Sequence, residues 1–269
     1  MKRYFLHIAY KGYNYRGWQR QANTKTRNTI QEILENKFKQ VFGYPVVIFG
    51  CGRTDAMVSA SQYVLHIKLK EEIDFDFIFR LNKGLPHDIA ILDIVLMDNR
   101  GHARFDATKR TYNYFAHFRK SPFLEDVSGF YLLENLDFKK IKQAVDLFTK
   151  YDDYYAFCRR ADSYKHTICD VSVSNLYVNE SQTRMRFEIS ANRFLRGMIR
   201  ILAAQLIEVG IGKTSVDELE SFLINKRADR VLDAAHPQGL YLSKIEYPYI
   251  DFPDKSNFLE PLSSGLIML

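Results

Sequence analysis

The chain has 269 residues, 46% of them hydrophobic and 14% aromatic, enough apolar material for a large core and too much for a disordered chain. Lys and Arg outnumber Asp and Glu by 38 to 32, which with a pI near 9.0 points toward a polyanionic partner. No run of about 18 apolar residues occurs, and the start MKRYFLHIAYKG reads as a charged end followed by a strand, so neither a signal peptide nor a membrane span is expected and the protein is expected to be cytoplasmic.

Tyr4, Leu6, Ile8 and Tyr10 alternate with less apolar neighbours and predict a first strand, after which Gly12 to Gly17 reads as a loop. From Asn28 as N-cap, the apolar positions Ile30, Ile33, Leu34, Phe38 and Val41 predict a helix to about Phe42, ended by Gly43 and Pro45. VVIFGCG reads as a buried strand delivering the chain into the loop RTDAMVSASQ. A short helix around Phe75 to Leu81 and a strand around Ile89 to Met97 follow.

The grammar then repeats. A strand is predicted at Arg110 to Phe118, a helix from Phe138 to Tyr151, strands at Ile168 to Val178 and Arg184 to Ser190, and a helix from Phe194 to Val209. A helix at Val216 to Ile224 opened by Ser215 and a strand at Gly239 to Tyr247 complete it. Two similar α+β halves sharing a mixed or mainly antiparallel sheet, with a cleft between them, fit this order. The expected divisions are 1–103, 104–250 and a tail at 251–269 that is partly disordered or caps a neighbour.

Lys11, Arg16, Arg20, Lys25 and Arg27 fall in one stretch interleaved with Tyr10, Tyr13, Tyr15 and Trp18. Cations suit phosphate and flat rings suit exposed bases, so the stretch reads either as an RNA-binding surface or as a solvated loop carrying core aromatics. Cys51, Cys158 and Cys169 match neither a zinc ribbon nor a redox pair, so reduced thiols, no metal and no cofactor are expected. Gly52-Arg53-Thr54-Asp55-Ala56 follows a predicted strand, which can hold a catalytic carboxylate rigidly, although an Asp there is more often a turn or cap residue.

GYNYRGWQRQ before TIQEILE, then GCGRTDA, HARFDATKRTYNY and FLRGMIRILAAQLIEVGIGK, resemble in order and spacing the tRNA pseudouridine synthase A family. LNKGLPHDI, DDYYAFCRRAD and AAHPQGLYLSKIEYP extend the resemblance over nearly the whole chain. It implies two ferredoxin-like halves flanking a basic cleft, a homodimer that binds transfer RNA across both subunits, and isomerisation of uridine to pseudouridine in the anticodon arm.

By the same resemblance Asp55 is the catalytic carboxylate, Tyr112 of KRTYNY stacks on the extruded uracil with its hydroxyl near the proton leaving C5, and Arg200 of FLRGMIR pairs with Asp55. Arg53 occupies the space left by the flipped base, and Leu240 of GLYL lines the uracil pocket. Lys11, Tyr15, Arg16, Trp18 and Arg20 are the expected RNA contacts. The reaction breaks the bond from ribose C1′ to N1 and rejoins it through C5. Attack at C1′, attack at the uracil ring and elimination through a glycal all remain open, each needing the carboxylate.

The family usually continues GRTDAGVHA, whereas this chain reads GRTDAMVSA, with Met57 for glycine and Ser59 for histidine. Methionine disfavours positive φ, so the loop is expected to take another path or open a different pocket, and an imidazole is lost. With Arg53, Asp55, Tyr112 and Arg200 retained, an active enzyme of altered substrate range is the favoured reading. The competing ones are a transfer-RNA binder without catalysis and a synthase acting on another RNA.

Overall fold

The computed structural model of the chain describes residues 1–21, 28–70, 72–73, 76–98, 101–253 and 259–269. In chain order the first elements are β1 (Lys2–Tyr10), α1 (Ile30–Phe42), β2 (Phe49–Gly50), β3 (Ser59–Leu69), α2 (Phe77–Gly84) and β4 (Ile89–Met97). Then come β5 (Lys109–His117), β6 (Gly129–Phe130), α3 (Phe138–Leu147), β7 (Val171–Asn179), β8 (Arg184–Ala191), α4 (Met198–Gly210) and α5 (Val216–Ile224). β9 (Leu240–Glu246), α6 (Glu260–Ser263) and β10 (Leu266–Met268) end the chain. The fold is α+β, with strands paired mainly antiparallel; β3 with β9 and β5 with β6 are parallel.

The chain forms two compact units, one of residues 1–108 and 241–259, the other of residues 109–240 and 260–269. In the first unit, β1-α1-β2-β3-α2-β4 with strand order β4-β1-β3-β2 is a ferredoxin-like arrangement. The second unit runs β5, α3, β7, β8, α4 in the same sense, with strand order β7-β8-β5 and β10 added outside β7. Among the described residues no helix is long and apolar enough to cross a membrane.

Local chemistry explains the element ends. The N-cap of α1 is Thr29, one residue later than Asn28, because the Thr29 side chain accepts from the Glu32 backbone N–H; the Asn28 amide instead donates to the Asn14 carbonyl. Gly43, at φ 77, closes the helix in the left-handed region. Ser215 caps α5 as expected, accepting from Glu218 N–H. α2 begins at Phe77, and Phe75, where its start was expected, lies outside the described residues. α4 begins at Met198 instead of Phe194, since Gly197 sits at φ 75 immediately before it and breaks the helical path. α3 ends at Leu147, four residues short of Tyr151.

Two readings need correction. VVIFGCG is not a buried strand: only Phe49 and Gly50 pair, against β3, and Val47 and Phe49 are exposed while Val46 and Ile48 are buried. The long strand of the region is β3, whose first four residues, Ser59 to Gln62, fall in the predicted loop and whose remainder had no predicted element. Its polar residues are buried and bonded: Ser59 Oγ accepts from Gly12 N–H, Gln62 donates to the Phe252 carbonyl and accepts from Ile245 N–H, and His66 Nδ1 accepts from Ala103 N–H. The tail is likewise more ordered than expected on its described residues, for β10 pairs with β7, and Arg184 and Arg186 donate to Ser264 O and Ser263 Oγ.

Candidate active site

Residues 51–58 join β2 to β3 and are held from below by the segment 10–18. Trp18 N–H donates to the Thr54 carbonyl at 3.1 Å, Met57 N–H donates to the Tyr15 carbonyl at 3.0 Å, and Val58 N–H donates to the Asp55 carbonyl at 3.2 Å. The Tyr10 and Thr54 hydroxyls share a hydrogen bond of 2.8 Å. Gly17, at φ +87, lies so close that a Cβ there would stand 2.5 Å from the Thr54 oxygen, and a Cβ on Gly12 would overlap the Val58 carbonyl. On this support Asp55 and Arg53 are both exposed, while Thr54 and Val58 between and beside them are buried. A carboxylate on a loop whose backbone donors and acceptors are already engaged keeps its geometry when a substrate arrives.

The aromatic residues of the stretch divide from its cations. Trp18 stacks on Tyr63 with ring centroids 4.0 Å apart, and the Tyr63 hydroxyl donates to the Gly52 carbonyl at 2.7 Å. Tyr15 is buried and donates to Asp88, and burial followed by that carboxylate pushes its phenol far above the ordinary range. Both rings therefore brace the loop from within and present no open face for a base, the core-aromatic alternative of the sequence reading. Arg16 and Arg20 are exposed, with Arg20 at 3.3 Å from Glu35, and Lys11 is half-buried with its N–H on the Asp88 carbonyl. Lys25 and Arg27 lie outside the described residues.

In the second unit, Tyr112 sits on β5 opposite Ile189 of β8, half-buried, its ring edge-on to Phe194 at 5.3 Å. Arg200 lies in the first turn of α4, and its Nε donates to the Ala235 carbonyl at 2.8 Å while Ala235 N–H returns a bond to the Arg200 carbonyl, also 2.8 Å. The Tyr114 and Tyr131 hydroxyls share a 2.9 Å hydrogen bond nearby; burial and then Tyr131 push the Tyr114 phenol up, against the pull of the Arg200 charge. Leu240 is buried at the start of β9, behind a 3₁₀ turn at Pro237–Gly239. Arg159 and Arg160 are exposed beside short 3₁₀ turns. Cys51 is buried, and burial raises the thiols of Cys158 and Cys169, the latter to about 12, so neither of these two is an activated nucleophile.

A family model described as tRNA pseudouridine synthase matches residues 150–248. A tRNA pseudouridine synthase A of Porphyromonas gingivalis is 33% identical over 251 residues, covering 92% of this chain and 98% of its own length. One from Parabacteroides distasonis is 35% identical over 94% of this chain and 99% of its own, and one from Hydrogenobaculum is 34% identical over 92% and 100%. The chain belongs to the tRNA pseudouridine synthase A family.

Within this pseudouridine synthase, the two departures from GRTDAGVHA have different consequences. Met57 adopts φ 66, the left-handed conformation that a glycine would take freely, so the backbone turn persists at a local cost of about 1 to 2 kcal/mol. The expectation of a different loop path is thus not needed to accommodate the methionine. Ser59 is buried, and its Oγ takes the Gly12 N–H at 2.9 Å, tying β3 to the glycine on which the loop rests. The supporting roles of Gly12, Gly17, Ser59 and Tyr63 escaped the sequence reading; the two glycines flanking an aromatic loop were the signal available for the first pair.

Proposed function

We propose that this chain isomerises uridine to pseudouridine in the anticodon arm of transfer RNA, with Asp55 as the catalytic carboxylate. The observation that carries this reading is the match to synthases named for that reaction over more than nine-tenths of the chain, with GRTDA intact. Asp55 acts at the ribose or base of the target nucleotide while the C1′–N1 bond breaks, the base turns and C5 joins C1′; C5 then loses its proton and N1 gains one. Tyr112 stacks on the displaced uracil and holds its hydroxyl near that proton, an assignment supported by the KRTYNY match. Arg200, its guanidinium oriented through Nε by Ala235, pairs with Asp55. Arg53 fills the space vacated by the base, and Leu240 lines the pocket.

Lys11, Arg16 and Arg20 meet phosphates, and Tyr15 and Trp18 serve binding by fixing the loop. The enzyme works as a homodimer in the cytoplasm. A second reading, a transfer-RNA binder without catalysis, rests on the departures at Met57 and Ser59. Incubating the purified protein with transfer RNA made without modifications, and reading pseudouridine position by position, separates the two: product in the anticodon arm supports the synthase, and tight binding without product supports the binder.

A further inference from the structure

The motif HARFDA contributes nothing to the chemistry above, yet it forms a turn held by several side-chain hydrogen bonds. Arg3 donates to the Gly101 carbonyl, and the Tyr247 hydroxyl donates to the Ala103 carbonyl at 2.6 Å. His102 N–H and the Tyr249 hydroxyl both donate to Asp106 Oδ2 at 2.7 Å. His102 Nδ1 accepts from the backbone N–H of Arg104 and of Phe105, at 3.1 and 3.3 Å, which places the ring proton on Nε2.

What this turn displays is Phe105, which is 75% exposed although its ring lies only 4.3 Å from that of His102. Behind it the rings continue inward: His102 meets His66 edge-on at 4.6 Å, and His66 stacks on Phe49 at 4.8 Å. The Arg104 guanidinium stands 5.7 Å from the Phe105 centroid; the charge of Arg3 reaches both imidazoles, that of Lys68 reaches His66 and that of Arg104 reaches His102, with Asp106 as the opposing carboxylate. Exposure alone asks for no partner, but a ring already fixed against its neighbour pays less ordering cost when a flat group stacks on it. Flanking cations favour a polyanion over an apolar protein face, whose centre is depleted of charge.

We infer that Phe105, backed by His102 and flanked by Arg104, is a stacking platform for an unpaired base of the transfer RNA, apart from the residues that act on the target uridine. The inference rests on the function proposed above, because it takes the ligand from there. Base stacking on a fixed ring tolerates any sequence, so this contact adds affinity and register without choosing the uridine. Arg104 supplies charge for the adjoining phosphate.

The test uses full-length wild type, Phe105→Ala and Phe105→Trp with the same unmodified transfer RNA, measuring affinity across a salt series, product formation and molar mass. Phe105→Ala should weaken binding by roughly tenfold with the salt slope unchanged, since a stack and no phosphate contact is lost. Phe105→Trp should bind at least as well as wild type, and its added indole fluorescence should be quenched by the RNA. Wild-type affinity in Phe105→Ala, together with unquenched indole fluorescence in Phe105→Trp, overturns the platform while leaving the synthase intact. A fall in molar mass with RNA affinity preserved would overturn it in favour of a protein interface. If wild type itself fails to bind transfer RNA, the proposed function and the platform both fall.

Discussion

Gly17 lies directly beneath Asp55: a Cβ on Gly17 would stand 2.9 Å from the Asp55 carbonyl carbon, and the glycine holds φ +87, which side-chain-bearing residues rarely adopt. Gly17→Ala must either lift the loop or leave the left-handed region. It should lose at least about 1 to 2 kcal/mol of stability and depress kcat more than KM, because the carboxylate moves while the phosphate contacts stay. Denaturant unfolding and steady-state kinetics check it; a variant with wild-type kcat would show that the loop does not rest on this contact.

Met57, at φ 66, makes a complementary case. Met57→Gly removes the left-handed strain but gives the unfolded chain more freedom, so the net change should stay within about 0.5 kcal/mol. Met57→Val, β-branched in the same conformation, should cost about 2 kcal/mol. Equal stability of the two variants in urea would contradict the strained turn.

His66 is almost wholly buried among aromatic rings, and burial, followed by the charges of His102, Arg3 and Lys68, lowers its pKa from 6.5 to about 4. The unfolded imidazole takes its proton near 6.5 and the folded one only near 4, so between these values the unfolded state binds more protons and stability falls as the pH is lowered. His66→Gln keeps an acceptor for Ala103 N–H and cannot titrate. Its stability should therefore vary less over that window, by of order 2 kcal/mol, in melts recorded from about pH 7 to 4.

Glu208 on α4 is buried and receives Arg230 at 2.6 Å and Lys213 at 2.5 Å. Burial would raise its pKa, but these two cations hold it below the ordinary range. Arg230→Ala leaves the carboxylate buried with one partner fewer and should cost of order 3 kcal/mol, whereas Glu208→Gln with Arg230 present should cost less. A double-mutant cycle in urea tests the order.

Much of this was legible in the sequence because periodicity and caps act locally. α5 with Ser215 and β4 follow from side chains that decide their own element, and β1 is a strand as its pattern predicts, although it is buried on both faces from Tyr4 to Tyr10 where alternation predicts one. β3 does not, because Ser59, Gln62 and His66 look like surface residues until their distant partners Gly12, Phe252, Ile245 and Ala103 are known. For the same reason, nothing in the string GYNYRGW tells that Trp18 stacks on Tyr63 and that Tyr15 reaches Asp88, so rings that are supports look in the sequence like platforms for bases. Asp55 stands out through the motif order, and its exposed position on a braced loop accords with that choice without depending on it.

The comparison that decides between catalysis and mere binding is Asp55→Asn against wild type on one unmodified transfer RNA, with product and affinity measured in the same samples. The amide keeps the size of the carboxylate but is a poor nucleophile and carries no charge to stabilise a ribosyl cation, so pseudouridine formation should fall by at least a thousandfold, on the order of other nucleophile losses. Affinity should hold or rise slightly, since a negative group facing phosphate has been removed. Equal product from Asp55→Asn and wild type would contradict the role given to Asp55, and no product from wild type under tight binding would contradict the synthase itself.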